Sequence, residues 1–328
     1  MNGVEITAMP KFGLSDGAYS LLGKRVWVAG HRGMVGSAIC RRLESEGVAE
    51  IITASRGELD LTRQSDVENW LIKVNPDAIV LAAAKVGGIW ANNNFPADFL
   101  YENLMIEANI IKAAATLRTE KLLFLGSSCI YPKFAEQPIK EGALLTGALE
   151  PTNEWYAVAK IAGIKLCQAY RLQHNLDFIS AMPTNLYGPY DNFDLKTSHV
   201  LPALIRKADI AKREGHKSLS VWGTGRPRRE FLYVDDLADA CVFLLKSYSG
   251  YGHVNVGFGD DVSIRELAEI VSGVVGFEGE LEFDTSKPDG TPRKLMSSDL
   301  LRSMGWVAKT PLELGVAKAY DWYQRNSG

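Results

Sequence analysis

The stretch from Lys24 to Gly36 constrains the fold more than any other part of the chain. Lys24-Arg25-Val26-Trp27-Val28-Ala29 reads as a short buried strand, and Gly30-His31-Arg32-Gly33-Met34-Val35-Gly36 comes directly after it. A helical pattern then runs from Ser37 to about Gly47. Strand, glycine turn and helix in this order form the context in which a glycine pattern reads as a dinucleotide site. The first glycine permits the tight turn, the second lets backbone approach a pyrophosphate, and the third lets helix and strand pack closely. Backbone N–H groups at the helix start can hold the anion. The spacing is GxxGxxG rather than GxGxxG, and a purely structural turn fits the same residues. The expected fold is α/β: a Rossmann doubly wound parallel sheet with a smaller α/β substrate-binding lobe.

The segment after the glycine turn bears on the cofactor. Glu50–Ala54 reads as the second strand, and Ser55 and Arg56 come directly after it. NAD-selective sites usually place an acidic residue near this point, where it bonds the ribose 2′-hydroxyl. Here Arg56 stands twenty positions after Gly36, and Arg32 lies inside the turn. Two guanidiniums suit a 2′-phosphate and favour NADPH; two solvated surface arginines are the plainer alternative. Asp60 and Leu61 would border the adenine. Val67–Val74 has an amphipathic helical pattern. Ala78–Ala84 is an apolar run that opens into the glycine-bearing loop Lys85–Ile89, a stretch suited to the cofactor wall. A long helical pattern covers 97–119.

The run Lys121–Leu125 reads as a strand buried on both faces. It breaks at Gly126 into Ser127, Ser128 and Cys129. In open α/β sheets, ligands sit beyond the carboxyl ends of the strands. An extended chain here would point Ser127 and Cys129 to one side. A serine turn beside a small buried cysteine is the structural alternative. Trp155 to about His174 reads as a second long helix, with Tyr156 and Lys160 four apart on one face. A lysine ammonium beside a phenol favours the phenolate and lowers its pKa. The tyrosine can then hand a proton to an oxyanion forming at a carbonyl carbon.

Composition narrows the classes. The chain has 328 residues, 46% hydrophobic and 23% charged, enough for a sizeable core and two lobes. A net charge of −3 gives no general field for nucleic acid or membrane, so phosphate must be met by locally placed cations. The longest apolar runs are too short to span a bilayer, and no secretory signal is legible at the N-terminus. Cys40, Cys129, Cys167 and Cys241 are widely spaced and form no CxxC pair, so neither metal site nor disulfide framework is indicated. A reducing cytoplasm is the simplest compartment. Residues 1–22 show no period and read as a loosely held N-terminal extension.

The second half carries a basic cluster. Asp191–Ser198 is a polar loop leading to His199, and 201–212 has a helical pattern containing Lys207. A strand-like Ser220-Val221-Trp222 meets Gly223-Thr224-Gly225-Arg226-Pro227-Arg228-Arg229. Three arginines and a tryptophan in eight residues suit a diphosphate and a base; a solvated basic turn is equally compatible. Lys287–Lys294 is a proline-glycine loop carrying Asp289. Residues 23–186 are expected to form the cofactor domain, with segments at about 229–257 returning to it. Residues 187–328 would mainly build the substrate lobe.

GxxGxxG, then Ser127, then Tyr156-xxx-Lys160 resembles the extended short-chain dehydrogenase/reductase family. The match continues through LAAAKVGGI (81–89), LFLGSSCIYPK (123–133), EPTNEWYAVAKIAGIK (150–165), MPTNLYGP (182–189), SHVLPAL (198–204), REFLYVDDLADA (229–240) and KPDGTPRK (287–294), and spans about 24–325. These stretches are similar to the branch of that family acting on GDP-4-keto-6-deoxy-D-mannose as a 3,5-epimerase and 4-reductase. The resemblance implies NADPH as cofactor, GDP-L-fucose as product, and a homodimer paired through the two long helices. It implies Ser127, Tyr156 and Lys160 for reduction, and Cys129 with His199 for epimerisation. Implied cofactor contacts are Gly30, Arg32, Gly33, Met34, Val35, Gly36, Arg56, Asp60 and Leu61. Ser127, Ser128, Lys160, Pro183, Asn185, Leu186 and His199 complete that set. Implied substrate contacts are Lys207, Trp222, Arg229 and Asp289. A related nucleotide-sugar epimerase or dehydratase with recycled NAD, and a non-catalytic Rossmann sensor, remain as alternatives.

Overall fold

The computed structural model describes residues 18–287 and 289–326. Residues 1–17, most of the stretch read as a loose extension, lie outside the described residues. Within 18–22, Leu21 is buried and the Tyr19 hydroxyl donates to Glu120 at 2.9 Å, so this part is docked.

Five strands and one later segment build the main sheet. They are β1 (Arg25–Ala29), β2 (Glu50–Ile52), β3 (Ala78–Leu81), β4 (Lys121–Leu125), β5 (Asp177–Pro183) and the strand Val254–Val256. All pairings are parallel, in the order β2, β1, β3, β4, β5, Val254–Val256. The chain lays β2 on one side of β1 and then crosses to β3 on the other. This reversal opens a crevice at the carboxyl ends of β1 and β3, where doubly wound sheets bind ligands. The expected fold class is therefore present.

Strand alternation sorts the core into two layers. Val26 and Val28 of β1 join Leu123 of β4 and Ile39 on one face. Trp27 and Ala29 join Phe124, Ile110 and Ile164 on the other. Helices α1 (Met34–Leu43), α2 (Gln64–Val74), α3 (Ile89–Asn94), α4 (Pro96–Leu117) and α5 (Glu154–His174) connect the first five strands. α1 starts three residues earlier than its apolar period suggests, because Gly33 leads into it from the turn as N-cap. α3 was not legible, since its run of asparagines has no apolar period. It is held by Asn92, whose side-chain amide donates to the carbonyls of Gly87 and Gly88 at 2.8 and 3.1 Å.

The second half moves between the lobes. α6 (Val200–Glu214) packs in a separate core with Val221, Leu267, Val271 and Tyr323. α7 (Val234–Ser247) returns to cover α1, where Arg42 donates to Asp239 at 2.8 Å and Arg41 to Asp235 at 2.6 Å. In the smaller lobe, strand Arg228–Arg229 lies between Val262–Ser263 and Arg293–Lys294. Among the described residues, no helix is long and apolar enough to cross a membrane.

Candidate active site

The carboxyl end of β1 forms a cradle for an anion. Gly30 has φ +93°, and a Cβ there would lie 2.8 Å from Ala83 Cα on the neighbouring strand end. A Cβ at Gly36 would run into Gly30 O, so this glycine permits the close crossing of turn and helix. Gly33 caps α1 without any side-chain hydrogen bond, and the first turn contains no acidic residue. Its leading N–H groups, including those of Met34 and Val35, thus face a site without a built-in counter-charge. A dinucleotide's diphosphate fits this cradle.

The ribose end is mixed in charge. Arg56 is 88% exposed, and its nearest acidic partner is Glu102 at 4.0 Å. Arg32 lies close enough to Glu58 to favour its ionised form. Glu58 accepts from Ser55 N–H at 2.8 Å and Ser55 Oγ at 2.6 Å, and these bonds hold its carboxyl below the usual range. The acid that sequence reasoning did not find is therefore two positions past Arg56, engaged by Ser55. Asp60 Oδ1 accepts from the Thr62 N–H and hydroxyl, which fixes the loop carrying Leu61. Asn103, also missed, secures the next wall. It donates to Lys85 O and Phe99 O and accepts from Lys85 N–H at 2.9 Å. Gly88 N–H then donates to Thr197 O at 3.1 Å, so this wall meets the loop ending at His199.

At the end of β4 the backbone does not stay extended. Ser127 is extended, but Ser128–Ile130 forms a 3-10 turn, because Ser127 Oγ accepts from Cys129 N–H at 3.2 Å. The turn, rather than strand alternation, sets the direction of Cys129. Asn153 Nδ2 donates to Cys129 Sγ at 3.3 Å, and Lys294 Nζ stands 3.7 Å from the same sulfur. Asn153 occupies the N-cap of α5 yet makes no side-chain cap bond, so its amide is committed to the sulfur. His199 is the N-cap of α6, within reach of the charge of Lys294. Its side chain is exposed, and desolvation by the protein atoms around it, then the positive charge of Lys294, lower its imidazole pKa.

Ser127 lies close enough to Tyr156 to favour its phenolate. Lys160 Nζ donates to Leu125 O at 3.0 Å and pairs with Glu107 Oε1 at 2.9 Å, where both side chains are only 2% exposed. Its ammonium lies 5.8 Å from the Tyr156 ring centre. The expected lowering of the phenol pKa is not the outcome. Burial, then the neighbouring Cys129 and Glu107, push it up, against the opposing effect of Ser127.

The smaller lobe separates the basic cluster. Arg228 and Arg293 are register partners across parallel strands, and both reach Asp261, at 2.7 and 2.5 Å. Arg229 and Lys294 are the next partners in register. Side chains alternate along a strand, so this second pair takes the opposite face, the one bearing Cys129. Arg228 is thus a structural residue and not the phosphate ligand that the cluster suggested. Lys207 Nζ donates to Ser220 O at 3.1 Å and lies 5.1 Å from the Trp222 ring centre. Trp222 is 60% exposed. Asp289 accepts from the Thr224 N–H at 2.9 Å and the Thr224 hydroxyl at 2.7 Å, holding the turn after Trp222. Asn185 Nδ2 donates to Glu230 O at 2.8 Å, which joins the end of β5 to this lobe. Pro183 ends β5, and Leu186 packs against the core on the α1 side of the sheet.

Residues 26–257 match the NAD dependent epimerase/dehydratase family. The chain belongs to this family. Among relatives, a GDP-L-fucose synthase of Sinorhizobium fredii is 65% identical, covering 94% of this chain and 98% of its own. A GDP-L-fucose synthase of Escherichia coli is 52% identical over 92% of this chain and 97% of its own. The crystal structure of a GDP-L-fucose synthetase from Naegleria fowleri bound to NADP superposes with a TM-score of 0.90 at 28% identity, covering 98% of both chains. For a member of the epimerase/dehydratase family, sequence reasoning missed Asn153, Lys294 and Glu107. Only Asn153 had a local signal, as an asparagine directly before a helix, and that signal points to capping.

Proposed function

We propose that this chain converts GDP-4-keto-6-deoxy-D-mannose to GDP-L-fucose, by epimerisation at C3 and C5 and NADPH-dependent reduction at C4. The observation that carries the reading is the position of Lys294, which acts on both Cys129 and His199 beside the Ser127, Tyr156 and Lys160 group. The C4 carbonyl acidifies the C3 and C5 hydrogens. Cys129 as thiolate takes a proton, with Lys294 as its counter-charge and Asn153 fixing its position. His199 works on the opposite face. Its lowered pKa makes the protonated imidazole the readier donor of the pair.

Ser127 hydrogen-bonds the C4 oxygen, and Tyr156 protonates it. NADPH, when bound, supplies the hydride that C4 receives. The α1 N-terminus would hold its diphosphate, Arg32 and Arg56 would meet its 2′-phosphate, and Lys160 would hold the nicotinamide ribose. Trp222 offers an open face to the guanine. Lys207 and Arg229 take the substrate diphosphate.

The reading extends to a cytoplasmic homodimer. Tyr101 of α4 and Trp155 and Val158 of α5 are exposed apolar side chains on the two packed helices, which suits a helix–helix interface. The four free cysteines suit a reducing compartment. The test is solvent-deuterium incorporation with the keto-sugar and no NADPH. Wild type should label C3 and C5, and Cys129→Ser should not. Full labelling by Cys129→Ser would remove this residue from its role.

A further inference from the structure

Glu107 is a buried acid that the reaction as described does not use. It projects from α4 toward α5, where its carboxylate meets Lys160 at 2.9 Å and, among the described residues, neither oxygen has another hydrogen-bond partner. Space has been left for it. A Cβ at Gly163, three residues after Lys160, would lie 2.7 Å from Glu107 Oε2 and 2.5 Å from Phe124 Cζ. The Phe124 ring closes the site from β4, with the Lys160 ammonium 4.7 Å from its centre. An unpaired carboxylate is seldom kept in such a place, and a lysine that only had to bind a ribose would need no partner there.

We propose that Glu107 is a positioning residue: it fixes the Lys160 ammonium and offsets its charge, so that Tyr156 stays protonated and the site is poised to donate a proton to the C4 oxygen. This rests on the reductase reading above. A reductase needs its tyrosine in the acid form before hydride arrives, and an uncompensated ammonium would draw the phenol toward phenolate.

The groups around the pair are few. Tyr156 faces Ser127 and Cys129 from the β4 turn, Phe99 and Glu107 from α4, and Lys160 from its own helix. Glu107 faces Lys160 and Tyr156, and its charge also reaches Cys167, whose thiol burial pushes up to about 12. Of these neighbours, Lys160 is the one cation. Burial raises the Glu107 pKa and the Lys160 ammonium at 2.9 Å opposes that rise, keeping it a carboxylate; removing its charge leaves Tyr156 beside a bare ammonium, and the phenol pKa falls.

The experiment is the pH profile of kcat for NADPH oxidation with GDP-4-keto-6-deoxy-D-mannose, for wild type, Glu107→Gln and Glu107→Asp. Glu107→Gln should move the basic limb down by about one pH unit, the lower end of what a nearby charge does. It should also lower kcat at neutral pH by roughly tenfold, a fraction of what a positioned acid supplies. Glu107→Asp keeps the charge but shortens the reach. It should lower kcat several-fold, as roughly expected for lost orientation, with its basic limb where wild type has it. Basic limbs that coincide in wild type and Glu107→Gln would overturn the proposal. If Glu107→Gln does not fold, a Glu107→Asp enzyme with a shifted limb, or with unchanged kcat, overturns it as well. A wild type without NADPH oxidation would sink the reductase reading and this inference together. Normal wild-type turnover with unresponsive variants would sink the inference alone.

Discussion

Lys294 Nζ lies 3.7 Å from Cys129 Sγ, across 165 positions of sequence. Two strand registers produce this contact. Cys129 comes just after β4 in the main sheet, while Lys294 sits opposite Arg229 in the small one. The same ammonium lowers the pKa of His199. One lysine from the smaller lobe thus stands beside the Cys129 sulfur and within charge reach of His199.

Replacing Lys294 separates its two effects. Loss of the ammonium lets the His199 pKa rise, because a positive neighbour disfavours the imidazolium. If protonated His199 is the donor, exchange at C3 and C5 declines as pH rises through the His199 pKa. In Lys294→Met that decline should move to higher pH by roughly half a unit to one unit, while the maximal rate falls for want of the thiolate's counter-charge. The pH dependence of deuterium incorporation measures both. An unmoved decline would detach Lys294 from His199.

The proposed cofactor preference rests on Arg56. Its guanidinium is exposed and weakly partnered, which leaves it available to a 2′-phosphate. Arg56→Glu should raise KM for NADPH by about ten- to a hundredfold, the worth of a charge-assisted contact replaced by a repulsion. KM for NADH should change by less than about threefold. Equal losses with both cofactors would contradict the assignment.

The reach of sequence reasoning is set by locality. The Gly30 turn, the β4 end and the α5 face were legible because each motif is a few residues long, and its period or glycines dictate its own geometry. Lys294, Glu107 and Asn103 were not, because each acts on a residue brought near by strand pairing or helix packing. The arginine cluster misled for a similar reason. Arg228 and Arg229 are adjacent in sequence, but the strand sends them to opposite faces, and Asp261 claims the first. After Ser127 the chain takes the turn that its serines also allowed and not the extended path, because the Ser127 hydroxyl accepts from the next amide but one.

Acid stability should carry the mark of His253. This imidazole is buried, 2.9 Å from the Tyr131 hydroxyl, which donates to Asn255 Oδ1 at 2.5 Å. Burial, and then the charge of Lys165, lower its pKa from 6.5 to about 4. The unfolded chain takes up this proton near pH 6.5, whereas the folded one resists it down to about 4. Stability is therefore complete above pH 6.5 and lost as pH falls toward 4, by about 3 kcal/mol from this group. Urea unfolding across that window should show a shallower fall in His253→Gln than in wild type. Parallel curves would exclude the effect.

The most direct test of the whole account is to mix the purified protein with NADPH and GDP-4-keto-6-deoxy-D-mannose, track nicotinamide absorbance, and identify the sugar formed. The account predicts NADPH oxidation with GDP-L-fucose as product, inverted at both C3 and C5. Oxidation that yields a sugar with C3 and C5 unchanged would contradict the joint action of Cys129, Lys294 and His199.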